Sequence, residues 1–222
     1  MKKEMTETEL RQLEKQLGCP SGEMGIELGV TMHETNIGMT LNTIEFLDLH
    51  DGNLVLELGH GNCSHLEKLL GKAKNLAYHG LEISTLMHEE AQRINQQVIA
   101  DHKVDFKLYN GENIPFPESH FDRIMTVNTI YFWKEPEGFI NEIGRKLKPN
   151  GCLVITFAQK DFMKNLPFVG ENFTLYNQRD IEKLVEGSGL AITGYLDKTE
   201  EVKSKAGESV ERFYSMVKLA KK

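Results

Sequence analysis

The sequence predicts an α/β fold with one seven-stranded, mostly parallel sheet, an antiparallel C-terminal strand, helices on both faces and a helical N-terminal segment. Three observations predict it. Short apolar runs alternate with longer helical patterns through the middle of the chain, which is typical of βαβ units and a parallel sheet. The first apolar run ends in a glycine-containing bend. The last third of the chain instead carries two strand-like runs, which favour an antiparallel closing pair.

The composition indicates the class of protein. The 222 residues are 40% hydrophobic and 27% charged, which is typical of one substantial globular domain. No apolar run approaches the ~20 residues that cross a bilayer, and the alternating charges at the start resemble neither a signal peptide nor a transit peptide. Three widely spaced cysteines, Cys19, Cys63 and Cys152, argue against a disulfide framework or a zinc site and suit a reducing compartment. We therefore expect a cytoplasmic protein.

The net charge of −7 bears on the class of partner. A nucleic-acid-binding protein usually shows a basic excess or a dense basic stripe. Here Lys and Arg are scattered, and the basic clusters are Lys2–Lys3 and the C-terminal "KLAKK". The charge favours a small-molecule ligand, with no nucleic-acid and no membrane partner, for a monomer or homodimer.

The N-terminal segment predicts a helix, a loop and a second helix. Leucines at helical spacing predict the first helix over residues 8–17. A proline, a serine and three glycines predict a loop over residues 18–25. The mixed segment 26–49 follows, and its second half predicts a helix that ends near residues 50–52.

Alternating strands and helices follow in the next part of the chain. Apolar runs predict strands at 54–58, 76–83, 104–108, 121–127 and 152–157. Helices are predicted at 64–70, 85–100 and 136–147, and loops at 112–120 and 148–151. A helix at 178–186 precedes the two closing strands, 190–196 and 212–219, which a charged segment separates.

The stretch "LELGHGNC" contains the bend. Its strand ends near an acid, Glu57, and Gly59 and Gly61 then flank His60. Glycine permits a positive φ and lets a ligand approach the backbone, and the N–H groups that open the next helix favour an anion or an acceptor. The dinucleotide fingerprint needs a third glycine, but Ser64 stands at that position, and no phosphate-loop motif is present.

Polar groups recur at the ends of the next predicted strands. A second acid, Glu82, lies 82 − 57 = 25 residues after Glu57, where a carboxylate can accept hydrogen bonds from ribose hydroxyls. Asn110 and Gly111 follow the third strand, and Asn128 follows the fourth. Because the carboxyl ends of parallel strands meet at one edge of a sheet, one extended nucleoside can contact all four positions.

Together with "GLEIS", "NGENIPFPESHFDRIMTVNTIYFW" and "EIGRKLKPNGCLVI", the bend resembles the class I S-adenosylmethionine-dependent methyltransferases, specifically their type 11 small-molecule group, over roughly residues 50–160. The resemblance implies a Rossmann-like fold, S-adenosyl-L-methionine as the cofactor, and methyl transfer to a small-molecule acceptor. It also implies that residues 1–50 form a helical cap over the active site of a methyltransferase domain at 51–222, in one structural domain overall.

The resemblance implies roles for the matching positions at the first two strand ends. Glu57 would neutralise the ammonium of the methionine part, while the Gly59–Gly61 backbone, His60 included, passes beneath the cofactor. Glu82 would accept the ribose hydroxyls, and Ile83 would pack on the adenine.

At the next two strand ends, the resemblance implies that Asn110 faces the adenine edge with the backbone of Gly111 and Glu112, and that Asn128 meets the methionine moiety. Two positions depart from the family pattern. Cys63 stands where many members carry a third glycine, and Asn110 stands where an aspartate is commoner. An amide can still accept from the adenine amino group, so adenine recognition is expected with a different polarity.

No residue of the sequence is an unmistakable general base. His33 and Tyr131 are weak candidates for a catalytic role, and the same two, with Asn36 and Trp133, are weak candidates for contact with the acceptor. Methyl transfer is an in-line displacement that needs a base only when the acceptor must lose a proton early. The sequence therefore favours an acidic hydroxyl, an amine or an enolate-like carbon as the nucleophile.

The two histidines near the bend do not predict a metal site. His60 and His65 lie five residues apart, off the i, i+4 spacing of a helical ligand pair, so no metal is expected. Two alternatives to a methyltransferase stay open. One is a protein that binds S-adenosylmethionine or S-adenosylhomocysteine without catalysis. The other, less favoured, is an NAD(P)-dependent oxidoreductase.

Overall fold

The computed structural model describes residues 5–203 and 209–222, so the basic pair Lys2–Lys3 lies outside the described residues. In chain order the elements are α1 (Glu7–Gly18), α2 (Gly22–Leu47), β1 (Leu54–Leu58), α3 (Leu66–Leu70), β2 (Ala77–Glu82), α4 (Thr85–Ile94), α5 (Gln96–Asp101), β3 (Lys103–Leu108), β4 (Phe121–Val127), a 3₁₀ turn (Ile130–Phe132), α6 (Pro136–Lys146), β5 (Leu147–Ala158), α7 (Lys160–Met163), α8 (Gln178–Val185), β6 (Leu190–Lys203) and β7 (Ser209–Lys221).

Within the described residues, the seven strands form one sheet in the order β3-β2-β1-β4-β5-β7-β6. Strands β1 to β5 pair in parallel, and β7 runs antiparallel to both of its neighbours, β5 and β6. The predicted fold class is therefore confirmed. The direction of winding reverses between β1 and β4, so the carboxyl ends of these strands open a crevice of the kind in which α/β sheets bind ligands.

Two apolar layers cover the faces of the sheet. Along β1, Leu56 and Leu58 point to one layer and Val55 to the other, as the period of two in a strand requires. The first layer is completed by α6 and α8, and the second by α3, α4 and the C-terminal part of α2, where Ile44 and Leu47 are buried. The end of α2 is thus part of the core of the sheet.

The prediction of a loop over residues 18–25 is wrong beyond Ser21. The side chain of Gln16 bonds both the backbone N–H and the hydroxyl of Ser21, at 2.8 and 3.1 Å, and α2 begins at the next residue. Of the three glycines that suggested a loop, Gly18 ends α1, and Gly22 and Gly25 lie in α2, where α4 packs against Gly25. A Cβ on Gly25 or Gly29 would come within 2.7 Å of a side chain of α4. Most of the mixed segment 26–49 therefore lies in one helix of 26 residues, Gly22–Leu47. No helix among the described residues is long and apolar enough to span a bilayer.

Two internal boundaries also differ from the prediction. The helix expected over 85–100 is two helices, because the Asn95 side chain turns back to donate to the carbonyls of Cys63 and Ala91 at the break. The turn expected over 148–151 lies inside β5, where the register with β4 shifts.

The antiparallel closing pair is as predicted, but both strands are longer than the sequence indicates. The charged segment 197–211 was expected to separate them. In the structure its charges pair across the hairpin, where Glu200 lies opposite Arg212. Arg212 also donates to the Asn36 side chain and the Thr35 carbonyl, so the hairpin is bonded to α2.

Candidate active site

A cavity of about 160 Å³ lies at the carboxyl ends of β1, β2 and β4, and α2 and the end of α1 contribute to its wall. We call it the first cavity. Many of the residues predicted for the site line it: Glu57, Gly59, His60, Gly61, Glu82, Ile83, Gly111, Asn128, His33, Asn36 and Trp133. Asn110, Glu112 and Tyr131 are not among its lining residues. The structure therefore brings together groups from four predicted strand ends and from the N-terminal helices.

The glycine bend is held in left-handed backbone geometry. Gly59 and Gly61 have φ of 71° and 59°, and a Cβ on Gly59 would overlap the side chain of Thr129. Cys63, at the position of the missing third glycine, also takes a positive φ, of 50°, while its side chain is fully buried. The bend therefore keeps its conformation without that glycine. The Cys63 sulfur lies 3.3 Å from the hydroxyl of Tyr78, a contact that a glycine at this position could not make.

Glu82 organises the bend from the end of β2. Its carboxylate accepts backbone N–H groups from Gly61 at 2.9 Å, Ile83 at 2.8 Å and Ser84 at 3.0 Å. Burial raises the pKa of Glu82 despite these three hydrogen bonds. A carboxylate has about four acceptor positions, so one is left for a ligand hydroxyl.

Glu57 is buried at the base of the first cavity and is part of a hydrogen-bonded network. Its Oε2 accepts from the hydroxyl of Tyr78 at 2.6 Å and lies 2.9 Å from Nε2 of His65. Burial alone would raise the pKa of Glu57, but the adjacent His65 and these hydrogen bonds outweigh it and hold the pKa below its usual value. Both contacts reach the same oxygen, and the described residues give Oε1 no partner. Sequence reasoning missed His65 and Tyr78, although a tyrosine in an apolar strand needs a partner for its hydroxyl.

His60 is buried with its ring against Phe106, at 4.8 Å between the ring centroids. Its Nδ1 lies 2.8 Å from the Gly61 carbonyl, and its Nε2 has no hydrogen-bond partner among the described residues. Burial lowers the pKa of His60 to about 4, so the ring is neutral near pH 7. The expected role of the His60 backbone beneath the cofactor stays a prediction, and the structure adds the packing of the side chain on Phe106.

Asn110 and Glu112 have other contacts in the structure. The Asn110 carbonyl oxygen accepts from the backbone N–H groups of Glu112 and Asn113, at 3.0 and 2.8 Å, and so shapes its own loop. The Glu112 carboxylate forms an exposed ion pair with Lys134. Gly111, between them, lines the first cavity. The proposed adenine contact of Asn110 stays a prediction.

Asn128 lies where the first cavity meets a second cavity of about 180 Å³. It has a positive φ of 58°, and its carbonyl oxygen accepts from the Tyr131 hydroxyl at 2.9 Å and from the Ala158 N–H at 3.3 Å. Tyr131 lines the second cavity and is 3% exposed. Burial raises the pKa of Tyr131, which makes its phenol a hydrogen-bond donor and not a base near neutral pH.

One face of α2 supplies much of the cavity wall. Gly29, Met32, His33, Asn36 and Thr40 recur at helical spacing and all line the first cavity. Sequence reasoning found His33 and Asn36 alone, because it did not treat this segment as one helix. The periodicity of these five positions is the signal that could have identified the rest.

The histidines of the site form a stacked pair. The His33 and His65 rings are 6.3 Å apart and nearly parallel. Burial, followed by the charge of His65, lowers the pKa of His33. Potential metal-ligand atoms of Glu57, Cys63 and His65 lie within 4.8 Å of one another. Tyr78 joins Glu57 to Cys63 by hydrogen bonds, so we interpret the cluster as a polar network and not as a metal site.

Comparison with known proteins matches the central part of the chain to one family. Residues 56–155 match a family model described as a methyltransferase domain. The chain is 30% identical over 127 residues to the uncharacterized methyltransferase YdaC of Bacillus subtilis (strain 168), over 55% of this chain and 66% of that protein. The chain spans less than two thirds of the length of the first curated relatives that it matches.

Two solved structures share the fold. A SAM dependent methyltransferase from Aquifex aeolicus aligns with a TM-score of 0.58 at 20% identity, over 93% of this chain and 98% of that one. A geranyl diphosphate methyltransferase in complex with GPP and sinefungin aligns with a TM-score of 0.67 at 12% identity, over 85% of this chain and 79% of that one. At these identities the likeness shows the fold alone.

Proposed function

We propose that the chain transfers a methyl group from S-adenosylmethionine to a small-molecule acceptor. The premise is that residues 56–155 belong to the methyltransferase domain family, in the type 11 group of the class I S-adenosylmethionine-dependent methyltransferases. The observation that carries the proposal is a pair of buried carboxylates, Glu57 and Glu82, at the ends of adjacent parallel strands and on either side of a glycine bend. Two acids in this arrangement suit a ligand with an ammonium group and ribose hydroxyls.

The residues of the first cavity fit this cofactor. A Cβ added to Gly61 would meet no atom within 4 Å, so the space next to the bend is open. Oε1 of Glu57 is available for the ammonium, and the remaining acceptor position of Glu82 for a ribose hydroxyl. Ile83 is 39% exposed although it is apolar, which suits packing against the flat face of adenine.

The cofactor supplies an electrophilic methyl group on a sulfonium. The part of this chain is to bind the cofactor, to orient the acceptor in line with the methyl group and to exclude water. The positive charge disperses in the transition state, so a weakly polar cavity favours the step. The His65–Glu57–Tyr78 network holds the Glu57 carboxylate in one position, ready to bind the ammonium group.

We propose that α1 and the first half of α2 form the cap over the site. Leu17 and Gly18 of α1 and Met32 and Asn36 of α2 line the first cavity, which supports this role. The last turns of α2 pack in the core of the sheet, which supports a cap shorter than the predicted residues 1–50.

The alternatives are less well supported. An NAD(P)-dependent oxidoreductase would need a dinucleotide fingerprint, and the bend lacks its third glycine. A protein that binds the cofactor without catalysis would have no need of a second cavity adjoining the first.

The test is turnover with S-adenosylmethionine that carries a deuterated methyl group. The purified chain is incubated with small-molecule acceptors that offer oxygen, nitrogen, sulfur or carbon nucleophiles, and the products are read by mass spectrometry. We expect the label in one class of acceptor, with an equal amount of S-adenosylhomocysteine. Binding of the cofactor with no transfer to any class would favour the non-catalytic alternative.

A further inference from the structure

The second cavity adjoins the first through a shared wall. The residues that line both cavities are Leu17, Met32, Asn36, Asn128 and Phe132. A methyl group held in the first cavity next to these shared residues would therefore lie beside the second cavity. If the cofactor occupies the first cavity, the second is the space available to the molecule that accepts the methyl group.

The lining of the second cavity is mainly apolar and aromatic. Four phenylalanines contribute to it, Phe132, Phe162, Phe168 and Phe173, together with Leu166. Among its described lining residues there is no Asp, Glu, His or Lys. Burial of this surface favours an apolar acceptor over an amino acid or a nucleoside.

Arg212 is the charged residue among the described residues that line the second cavity. It is 7% exposed and donates to the Glu200 carboxylate, to the Asn36 side chain and to the Thr35 carbonyl. These bonds compensate most of its charge and use most of its N–H groups. A guanidinium in the wall nevertheless favours an oxygen anion over an ammonium in the acceptor.

The residues shared by the two cavities include no general base. Its five shared residues are apolar or amide side chains, and none of them titrates near neutral pH. Tyr131, next to Asn128, is a buried phenol that donates its proton to neighbouring oxygens. His33 lines the first cavity alone, where its ring stacks on the ring of His65. A nucleophile that enters through the second cavity therefore meets no base there, which favours one that arrives already deprotonated.

We propose that the second cavity binds the methyl acceptor and that this acceptor is an apolar, ring-containing molecule with one hydroxyl acidic enough to be ionised near neutral pH. The inference rests on the proposed methyl transfer. The hydroxyl loses its proton to solvent before it binds. Its oxygen would then attack the methyl carbon at the junction of the two cavities, which Asn36 and Asn128 line. The O–C bond would form as the S–C bond breaks with its electron pair left on sulfur, which gives S-adenosylhomocysteine with a neutral sulfur.

Two hydroxycoumarins of nearly equal size test the ionisation requirement. The hydroxyl of 6,8-difluoro-7-hydroxy-4-methylcoumarin is ionised from pH 6 to 8, and that of 7-hydroxy-4-methylcoumarin is mostly protonated at pH 6. We expect kcat/KM to be flat with pH for the fluorinated compound and to rise roughly tenfold per pH unit, from pH 6 to 7, for the other. Glycine, histamine and adenosine serve as polar acceptors, and we expect rates at least about tenfold lower for them.

A matched pair of variants tests the location. Leu166→Trp fills the second cavity, and Leu196→Trp places the same side chain at a position that is 42% exposed, on β6, and does not line either cavity. We expect the first variant to lower kcat/KM for the coumarins by about tenfold or more, with affinity for S-adenosylhomocysteine unchanged, and the second to change neither. Leu166→Ala enlarges the cavity and is expected to favour bulkier coumarins.

The outcomes separate this inference from the proposed function. If the unmodified chain does not bind S-adenosylhomocysteine, both the proposed function and this inference are contradicted. With that binding intact, a preference for the polar acceptors, or neither coumarin bound or methylated, would overturn the inference alone. So would a pH profile for the fluorinated coumarin that rises with an ionisation of the protein, or equal rates for Leu166→Trp and Leu196→Trp.

Discussion

At the residue scale, the first cavity holds two buried acids in different environments. Glu57 is stabilised as a carboxylate by His65 and Tyr78, whereas burial raises the pKa of Glu82. Glu82 also fixes the bend through the Gly61 N–H. A single substitution at Glu82 therefore removes both a ligand contact and a support of the bend.

The change Glu82→Ala is expected to weaken binding of S-adenosylhomocysteine by roughly 10- to 150-fold, which corresponds to the loss of about 1.5–3 kcal/mol from one charge-assisted hydrogen bond. Calorimetric titration measures it. Glu112→Ala is the matched control, because this acid was predicted at the site but lies outside the first cavity. Equal affinities for the two variants would contradict the role of Glu82.

The depressed pKa of His60 predicts a stability that depends on pH. Its pKa is about 4 in the folded chain and about 6.5 when unfolded, so the unfolded state binds more protons between these values. The contribution of His60 to the free energy of unfolding is fully present above pH 6.5. It falls by about 1.4 kcal/mol per pH unit as the pH drops towards 4, roughly 3 kcal/mol in all.

His60→Gln removes this titration. We expect its free energy of unfolding to fall less steeply than that of the unmodified chain between pH 6.5 and 4, measured by urea denaturation at a series of pH values. His102→Gln, at an exposed position, is the control and should keep the original slope. If both variants show the slope of the unmodified chain, His60 is not the group responsible.

The sequence predicted the cavity residues that lie at or just after the ends of predicted strands, because strand ends meet in a parallel sheet. It could not predict the partners of Glu57. His65 and Tyr78 reach that carboxylate only because β1, β2 and the start of α3 pack together, and no spacing in the sequence encodes that contact. The left-handed Cys63 was likewise hidden, since a non-glycine residue gives no signal for a positive φ.

At the scale of elements, α2 and the closing hairpin were the least predictable parts. Glycines inside α2 suggested a loop, but they permit close packing against neighbouring elements. The charged segment 197–211 was expected to separate the two closing strands, but its Glu200 pairs with Arg212 in a largely buried position, and Arg212 also donates to α2. Local composition cannot reveal such contacts, which depend on tertiary packing.

Arg212→Ala is expected to lower the free energy of unfolding by about 3 kcal/mol, because it leaves Glu200 without its partner in a largely buried position. The double change Arg212→Met with Glu200→Met should recover most of this loss, since replacing both charges by apolar groups is often nearly neutral. Urea denaturation of the single and double variants provides the measurement. A single variant as stable as the unmodified chain would show that Arg212 does not hold the hairpin together or bond it to α2.

At the scale of the whole molecule, the mostly parallel sheet and its antiparallel closing pair are predicted from the sequence, whereas the spatial order of the strands comes from the structure. Alternating strands and helices predict a parallel sheet, and the reversal between β1 and β4 puts the bend at the crevice. The second cavity could not be predicted, because its wall combines α1, α2, the segment after β5 and the closing hairpin, which are far apart in the chain. The cofactor was therefore readable from the sequence, and the acceptor was not.

The central claim is that the first cavity binds S-adenosylmethionine, and calorimetric titration of the purified chain with S-adenosylmethionine, S-adenosylhomocysteine and NADH tests it most directly. We predict that both adenosyl ligands bind with dissociation constants on the order of micromolar, about −8 kcal/mol, and that NADH does not bind. Tight binding of NADH with no response to either adenosyl ligand would contradict the claim, and with it the assignment of Glu57, Glu82 and the glycine bend.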